Sequence, residues 1–304
     1  MLSLHSKLYN IRNVRKRPQL YLLLLLCLLL TGCRQPATVM DDENAVYYWR
    51  TEWRLDSIEV AFLQQYDIHK VYCRYFDVVM TDDGPMPNAT ITFGEHPTPN
   101  TQHLIPTVYI TEDCMHEPHP GLARKLVRRV LQMNETNDIE GVSEIQIDCD
   151  YTDRSRATYY DFLSEVRREA ESQGLRLSTT IRLHQLSMPP PPADYGVLML
   201  YNTGSPRNFV ERNPVLDFRD VQPYLSRLDD YELPLAAAYP VFLWQREING
   251  VRIEHEVTAD EILRVKKAVE HQRPELRHTI LTYHLDNENI NRYNTETYEA
   301  IYHH

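Results

Sequence analysis

The sequence predicts an α/β chain folded as a single (β/α)8 barrel of the TIM type, and three observations carry that expectation. Short β-rich runs alternate with helical stretches through residues 44–304, and strands alternating with helices specify a parallel sheet. Eight such units in one domain-sized length point to a closed barrel. Polar residues gather near the carboxyl ends of several of these runs, where barrels place ligands. The rival, an open doubly wound sheet, lacks support because no Gly-x-Gly-x-x-Gly turn or Walker-type loop follows any strand.

Taken in order, the first strand is expected at Val46 to Arg50, with a helix over Ser57 to Gln65. The second strand covers Lys70 to Val79. A Pro- and Asn-rich stretch from Asp82 to Gln102 then replaces the second helix with a long loop. Strand three is Leu104 to Thr111, followed by a helix over Leu122 to Gln132 with a basic outer face. Strand four runs from Glu144 to Asp150, backed by a helix from Ala157 to Gln173. Strand five spans Leu175 to Leu186, and strand six Gly196 to Tyr201 with a helix near Val221 to Leu228. Strand seven, Leu233 to Trp244, is extended by a hairpin turning at Asn249-Gly250. A helix over Asp260 to His271, strand eight over Thr279 to Leu285 and a helix at Thr295 to Tyr302 close the chain.

The amino terminus carries a different signal. Lys7, Arg12, Arg15, Lys16 and Arg17 precede an apolar run from Tyr21 to Leu30, and no acidic residue occurs before position 33. A basic start, a short apolar core and small residues before the cut describe a secretory signal. The run is about half the ~20 residues that a bilayer-spanning helix needs. Leu30-Thr31-Gly32-Cys33 resembles the lipobox of bacterial lipoproteins. The resemblance implies cleavage before Cys33, diacylation of that cysteine, and a chain anchored in a membrane by lipid. Residues 1–32 are then a signal peptide, 33–43 a lipidated tether and 44–304 the barrel. The acidic Asp41-Asp42-Glu43 resembles surface-export signals of Gram-negative lipoproteins, so the outer membrane is the expected location, facing the periplasm or the cell surface.

Without the first 32 residues, 27 Lys and Arg face 43 Asp and Glu, a formal charge of −16. Such a surface disfavours nucleic acid and electrostatic binding to anionic lipid. Beyond Cys33 the mature chain has three cysteines, Cys73, Cys114 and Cys149. An odd number at these spacings matches neither a complete disulfide framework nor a zinc site, so buried free thiols are expected. No metal or cofactor is expected. His116 and His119 flank Pro118 in a loop without a matching carboxylate or cysteine.

Period-two alternation sorts the strand faces. In strand four Ile145, Ile147 and Cys149 pack under the helices, so Gln146, Asp148 and Asp150 point inward. In strand five Leu177, Thr179, Ile181 and Leu183 face out, while Ser178, Thr180, Arg182 and His184 face in. Strand two is read with Tyr72, Arg74 and Phe76 inward and Asp77 at the rim, and strand three with Tyr109 and Thr111 inward. Asp148 and Asp150 therefore meet Arg182 and His184. In the catalytic reading Asp150 is a general acid whose proton is held by the neighbouring Asp148, because two close carboxylates resist double ionisation. Arg74 and Arg182 orient the pair or bind substrate oxygens. In the structural reading the same groups form an internal Asp–Arg network with no chemistry. Trp49, Trp53, Tyr201, Tyr239, Trp244 and Tyr283 lie near strand ends, where rings make stacking platforms for sugars. The candidate substrate-binding residues are Tyr109, His184, Tyr201, Tyr239 and Trp244.

The segment from Glu144 to Leu186 resembles an uncharacterised family of bacterial glycoside-hydrolase-like barrel proteins. The resemblance rests on Gln146, Asp148 and Asp150, then Ser155, Arg156 and Tyr159, then Ser178 and Thr180, with Arg74 and Asp77 on the second strand. More distantly the chain is similar to chitinase-type hydrolases, whose fourth strand ends Asp-x-Asp-x-Glu. Gln146 and Asp150 stand where that motif has its first aspartate and its acid glutamate. The shorter aspartate reaches one methylene less far toward a glycosidic oxygen. The resemblance implies a carbohydrate-active lipoprotein, glycoside hydrolase-like, acting on an envelope or imported glycan. The alternative is a non-catalytic glycan-binding or envelope-assembly lipoprotein, which requires Asp148 and Asp150 to be tied up by arginines. A retaining or an inverting outcome fits the spacing equally.

Overall fold

The computed structural model describes residues 42–94, 103–205, 207 and 209–303. The signal peptide, Cys33 and the tether as far as residue 41 lie outside the described residues.

Eight parallel strands close on themselves. In chain order they are β1 (Glu43–Tyr48), β2 (Ile68–Thr81), β3 (His103–Ile110), β4 (Glu144–Asp148), β5 (Arg176–Ile181), β6 (Tyr195–Met199), β7 (Leu235–Pro240) and β8 (Thr279–Tyr283). Each pairs with the next, and β1 pairs with both β2 and β8, which completes the ring. The expected (β/α)8 barrel is therefore the observed fold. Around it lie α1 (Ser57–Gln65), α2 (Leu122–Thr136), α3 (Arg156–Glu171), α4 (Phe218–Val221), α5 (Ala259–Gln272), α6 (Asn287–Ile290) and α7 (Thr295–Tyr302). Helix α1 starts where the sequence places it because Asp56 and Glu59 form a capping box, each satisfying the other's backbone N–H.

Two apolar clusters divide the core. The outer one joins strands to helices through side chains such as Ile145, Ile147, Leu177 and Val166. The inner one fills the barrel with Tyr47, Tyr72, Tyr195 and Tyr201 beside Ala236 and Ala238. Bulky rings set against small residues fit the restricted interior of an eight-stranded barrel. Cys73, Cys114 and Cys149 are buried free thiols.

Three local expectations change. The register of β2 shifts between Arg74 and Phe76, so an extra residue sits in the strand at Tyr75. Parity inverts beyond the bulge: Phe76 joins the outer cluster under Arg129, and Asp77 turns inward to Arg74. Part of the long loop after β2 is a strand, Gly84–Asn88, which returns antiparallel along the end of β2. Residues 95–102 of that loop lie outside the described residues. Finally, β7 stops at Pro240, and Trp244–Ile248 with Val251–His255 form a separate two-stranded hairpin. Its turn is at Asn249-Gly250, both with positive φ, which the primed turns of tight hairpins require.

Candidate active site at the barrel mouth

The interior polar groups of β4 and β5 are stacked in register because facing residues of paired strands share a level. At the amino end, buried Glu144 accepts from Ser178 Oγ and from the Tyr195 hydroxyl, each at 2.5 Å. One level up, Gln146 accepts from the Tyr47 hydroxyl at 2.9 Å. Above that, Asp148 accepts from Thr180 Oγ1 at 2.6 Å. Asp148 is 3 % exposed, and burial raises its proton affinity, against the lowering influence of Arg182 and with a further rise from Asp150. Glu144 is raised by burial in the same way.

Asp150 lies past the end of β4 with its side chain 49 % exposed. Its carboxylate accepts from Arg182 Nε. Arg182 Nη2 also reaches Asp148 Oδ1 at 3.5 Å, and Nη1 faces the Met199 sulfur. The arginine backbone N–H is itself held by buried Gln185, at 2.7 Å from Oε1. One guanidinium thus bridges both aspartates. The sequence reading made Asp150 the acid; Asp148 is the aspartate withdrawn from water, and burial raises its proton affinity.

Arg74 does not join this pair. It donates to Asp77 through Nε at 2.8 Å and through Nη2, and its guanidinium lies 5.6 Å from the centre of the Trp49 ring. The bulge in β2 is the cause, since it turns Asp77 into the mouth beside Arg74. Thr111 is past the end of β3, where its hydroxyl contacts the Val78 carbonyl and Asp113. Tyr109 is half-buried, and its phenol is pushed up to about 12 by burial and by the charges of Asp150 and Asp148.

The aromatic candidates separate. Tyr201 is 3 % exposed and stacks on Tyr283 with 4.6 Å between ring centres. Tyr283 in turn contacts Trp49 and Phe242. Tyr239 faces the other way: it is fully buried in the outer cluster, so it is not a mouth residue. The single-residue parity of β7 decides this, because Ala236 and Ala238 take the inward positions. Trp53 is likewise core, packed on Tyr48. Trp244 begins the hairpin, edge-on to Phe209. His184 sits on a short 3-10 turn after β5, its Nε2 3.5 Å from the Tyr151 carbonyl.

Around this aromatic hub lie three cavities. One of about 290 Å³ is lined by Asp150, Arg182, His184, Tyr201 and Tyr224. Another of about 630 Å³ is lined by Phe242, Trp244, Tyr283 and Asp286, and it shares Asn202 with the first. A third of about 600 Å³ lies between Trp49, Arg50 and Asp56. His116, for which the sequence showed no matching carboxylate, pairs with Glu112 at 2.8 Å. Among the described residues no group of three or more His, Cys, Asp or Glu is placed to hold a metal ion.

No protein-family model matches this chain, and no curated protein does. Solved structures do match. A chitinase from Bacteroides thetaiotaomicron superposes with a TM-score of 0.57 at 9 % identity, covering 86 % of this chain and 95 % of the chitinase. A chitinase from Chromobacterium violaceum gives 0.53 at 13 % identity, covering 86 % and 98 %. The chain shares the eight-stranded parallel barrel of these chitinases. The Bacillus cereus spore cortex-lytic enzyme SleL matches this barrel too, at 0.53 and 14 % identity over 87 % of this chain and 74 % of SleL. At such identities the likeness establishes the barrel, while function has to be argued from the residues at its mouth.

Sequence reasoning missed several interior residues. Glu144 carried a legible signal, since it shares the parity of Gln146 and Asp148. Tyr47 and Met199 carried none, because an inward tyrosine or methionine looks like any other apolar residue of a strand, whereas Tyr72 was read inward and is.

Proposed function

We propose that this chain is a membrane-anchored, glycoside-hydrolase-like lipoprotein that engages a glycan at the barrel mouth, binding it without turnover. The observation that carries this reading is the single Arg182 guanidinium bridging Asp148 and Asp150. The Asp150 oxygen that accepts from the guanidinium must break that contact before it can meet a glycosidic oxygen, which leaves the second oxygen alone for a substrate. The aromatic faces of Tyr283, Trp244 and Trp49 beside polar cavities supply the stacking and hydrogen bonding that sugars need. Hydrolysis is the second reading, favoured by the half-exposed position of Asp150 at the rim with the buried Asp148 carboxyl behind it.

The test is the full chain in detergent, assayed against a panel of glycans for both binding and new reducing ends. Saccharide binding with no release of reducing ends is the expected outcome. Turnover that is lost in Asp150→Asn would establish the second reading instead, and an absence of all saccharide binding would remove both. The anchor is tested separately. Cys33→Ser is expected to abolish incorporation of labelled fatty acid into the chain, and labelling that survives the substitution would rule out lipid on that cysteine.

A further inference from the structure

Arg182 has five N–H donors and few good acceptors. Its Nε meets Asp150, but Nη1 faces only the Met199 thioether, a weak acceptor, and Nη2 stands 3.5 Å from Asp148. The side chain is 17 % exposed, so water does not freely make up the difference. Beside it the Tyr201 hydroxyl is buried without any hydrogen-bond partner, and Tyr201 and Arg182 both line the cavity of about 290 Å³. An under-used guanidinium and an orphaned phenol on one small cavity describe a site short of acceptor oxygens.

We propose that this cavity seats a carboxylate carried by the glycan, and that the carboxylate takes the Arg182 guanidinium from Asp150. The inference rests on the glycan-binding reading and adds the class of sugar: a ring bearing an acidic substituent, such as a uronic acid or a lactyl ether. Guanidinium and carboxylate match in planar, two-bond geometry, and charge assistance makes such bonds about twice as strong as neutral ones. The Tyr201 hydroxyl supplies one more donor to the same anion. Asp150 is the competitor, and its half-exposed side chain is free to swing into water when displaced. The cavity is at the small end of the ~300–1,000 Å³ typical of ligand pockets, which suits one ring with its substituent. The rest of the glycan would lie toward the larger cavity that meets it at Asn202.

Calorimetry on the full chain in detergent would compare three tetrasaccharides. One alternates N-acetylglucosamine with glucuronic acid, the second is the same molecule with its carboxyls methyl-esterified, and the third contains N-acetylglucosamine only. The acid form is expected to bind at least about tenfold tighter than its ester, a gap that narrows at high salt. Arg182→Met is expected to abolish the gap, and Arg182→Lys to keep part of it. Asp150→Asn, a change near the surface that the fold tolerates more readily, is expected to tighten the acid form because it removes the competitor. Equal binding of acid and ester, or a preference that survives Arg182→Met, would overturn the proposal while leaving glycan binding intact. So would an Asp150→Asn variant that binds the acid form more weakly. If none of the three sugars binds, the glycan-binding reading falls with it.

Discussion

Two carboxyls buried in the barrel interior, Glu144 and Asp148, face hydroxyl donors and keep their protons more tightly than carboxyls in water do. Their linkage to stability has a definite sign. In the unfolded chain such groups release protons near the ordinary value of ~4; in the folded chain they hold them to higher pH. The contribution to stability is therefore full below ~4 and is lost as pH rises through the window up to the raised folded value. Glu144→Gln places a neutral group of the same shape between Ser178 and Tyr195. It is expected to flatten the fall in urea midpoint between pH 5 and pH 8 relative to the parent chain. An unchanged slope would mean that Glu144 is ionised in the fold. Asp148 was legible as an inward residue because Ile145, Ile147 and Cys149 commit the other face to the helices. How far Asp148 is withdrawn from water was not legible, since that depends on what covers the end of the strand.

At the scale of elements, local patterning located most strands and helices, and failed where tertiary contacts intervene. The bulge at Tyr75 is the clearest case. Nothing in Tyr75-Phe76-Asp77 announces it, yet the tyrosine hydroxyl reaches Asn134 on α2 at 2.8 Å and Phe76 packs outward beneath Arg129 on the same helix. A single extra residue reverses every later side chain on the strand, so it moved Asp77 into the mouth and gave Arg74 a partner other than Asp148. Gly196 on β6 has a related dependence. A methyl group there would stand 2.7 Å from Ile181 Cγ1 and 3.0 Å from Leu233 and Leu235. Gly196→Ala is expected to cost about 1–3 kcal/mol through overpacking, read as a lower denaturant midpoint with an unchanged slope. A neutral result would show that β5 and β7 move apart easily at that level.

For the whole molecule, closure of the barrel sets what its interior can hold. Tyrosines at 47, 72, 195 and 201 leave room on β7 only for side chains as small as Ala236 and Ala238. Ala238→Leu adds a branched side chain among Met199 and Leu281, and is expected to destabilise the barrel by about 1–3 kcal/mol. It should also disturb the near-ultraviolet signal of the buried tyrosines. A variant as stable as the parent would reveal unfilled space that the packing does not show.

By itself the sequence determined the barrel. Hydrophobic periodicity and turn chemistry are local properties, and eight strand–helix units in one domain length have few ways to close. It also determined which face of β4 and β5 turns inward, because the side-chain period of a strand is two. Tertiary structure alone decided the partners at the mouth. Whether Arg74 serves Asp148 or Asp77, and whether Tyr239 faces the mouth or a helix, depend on register between strands distant in sequence. That register is set by closure, by one bulge and by the fit of large rings against small ones.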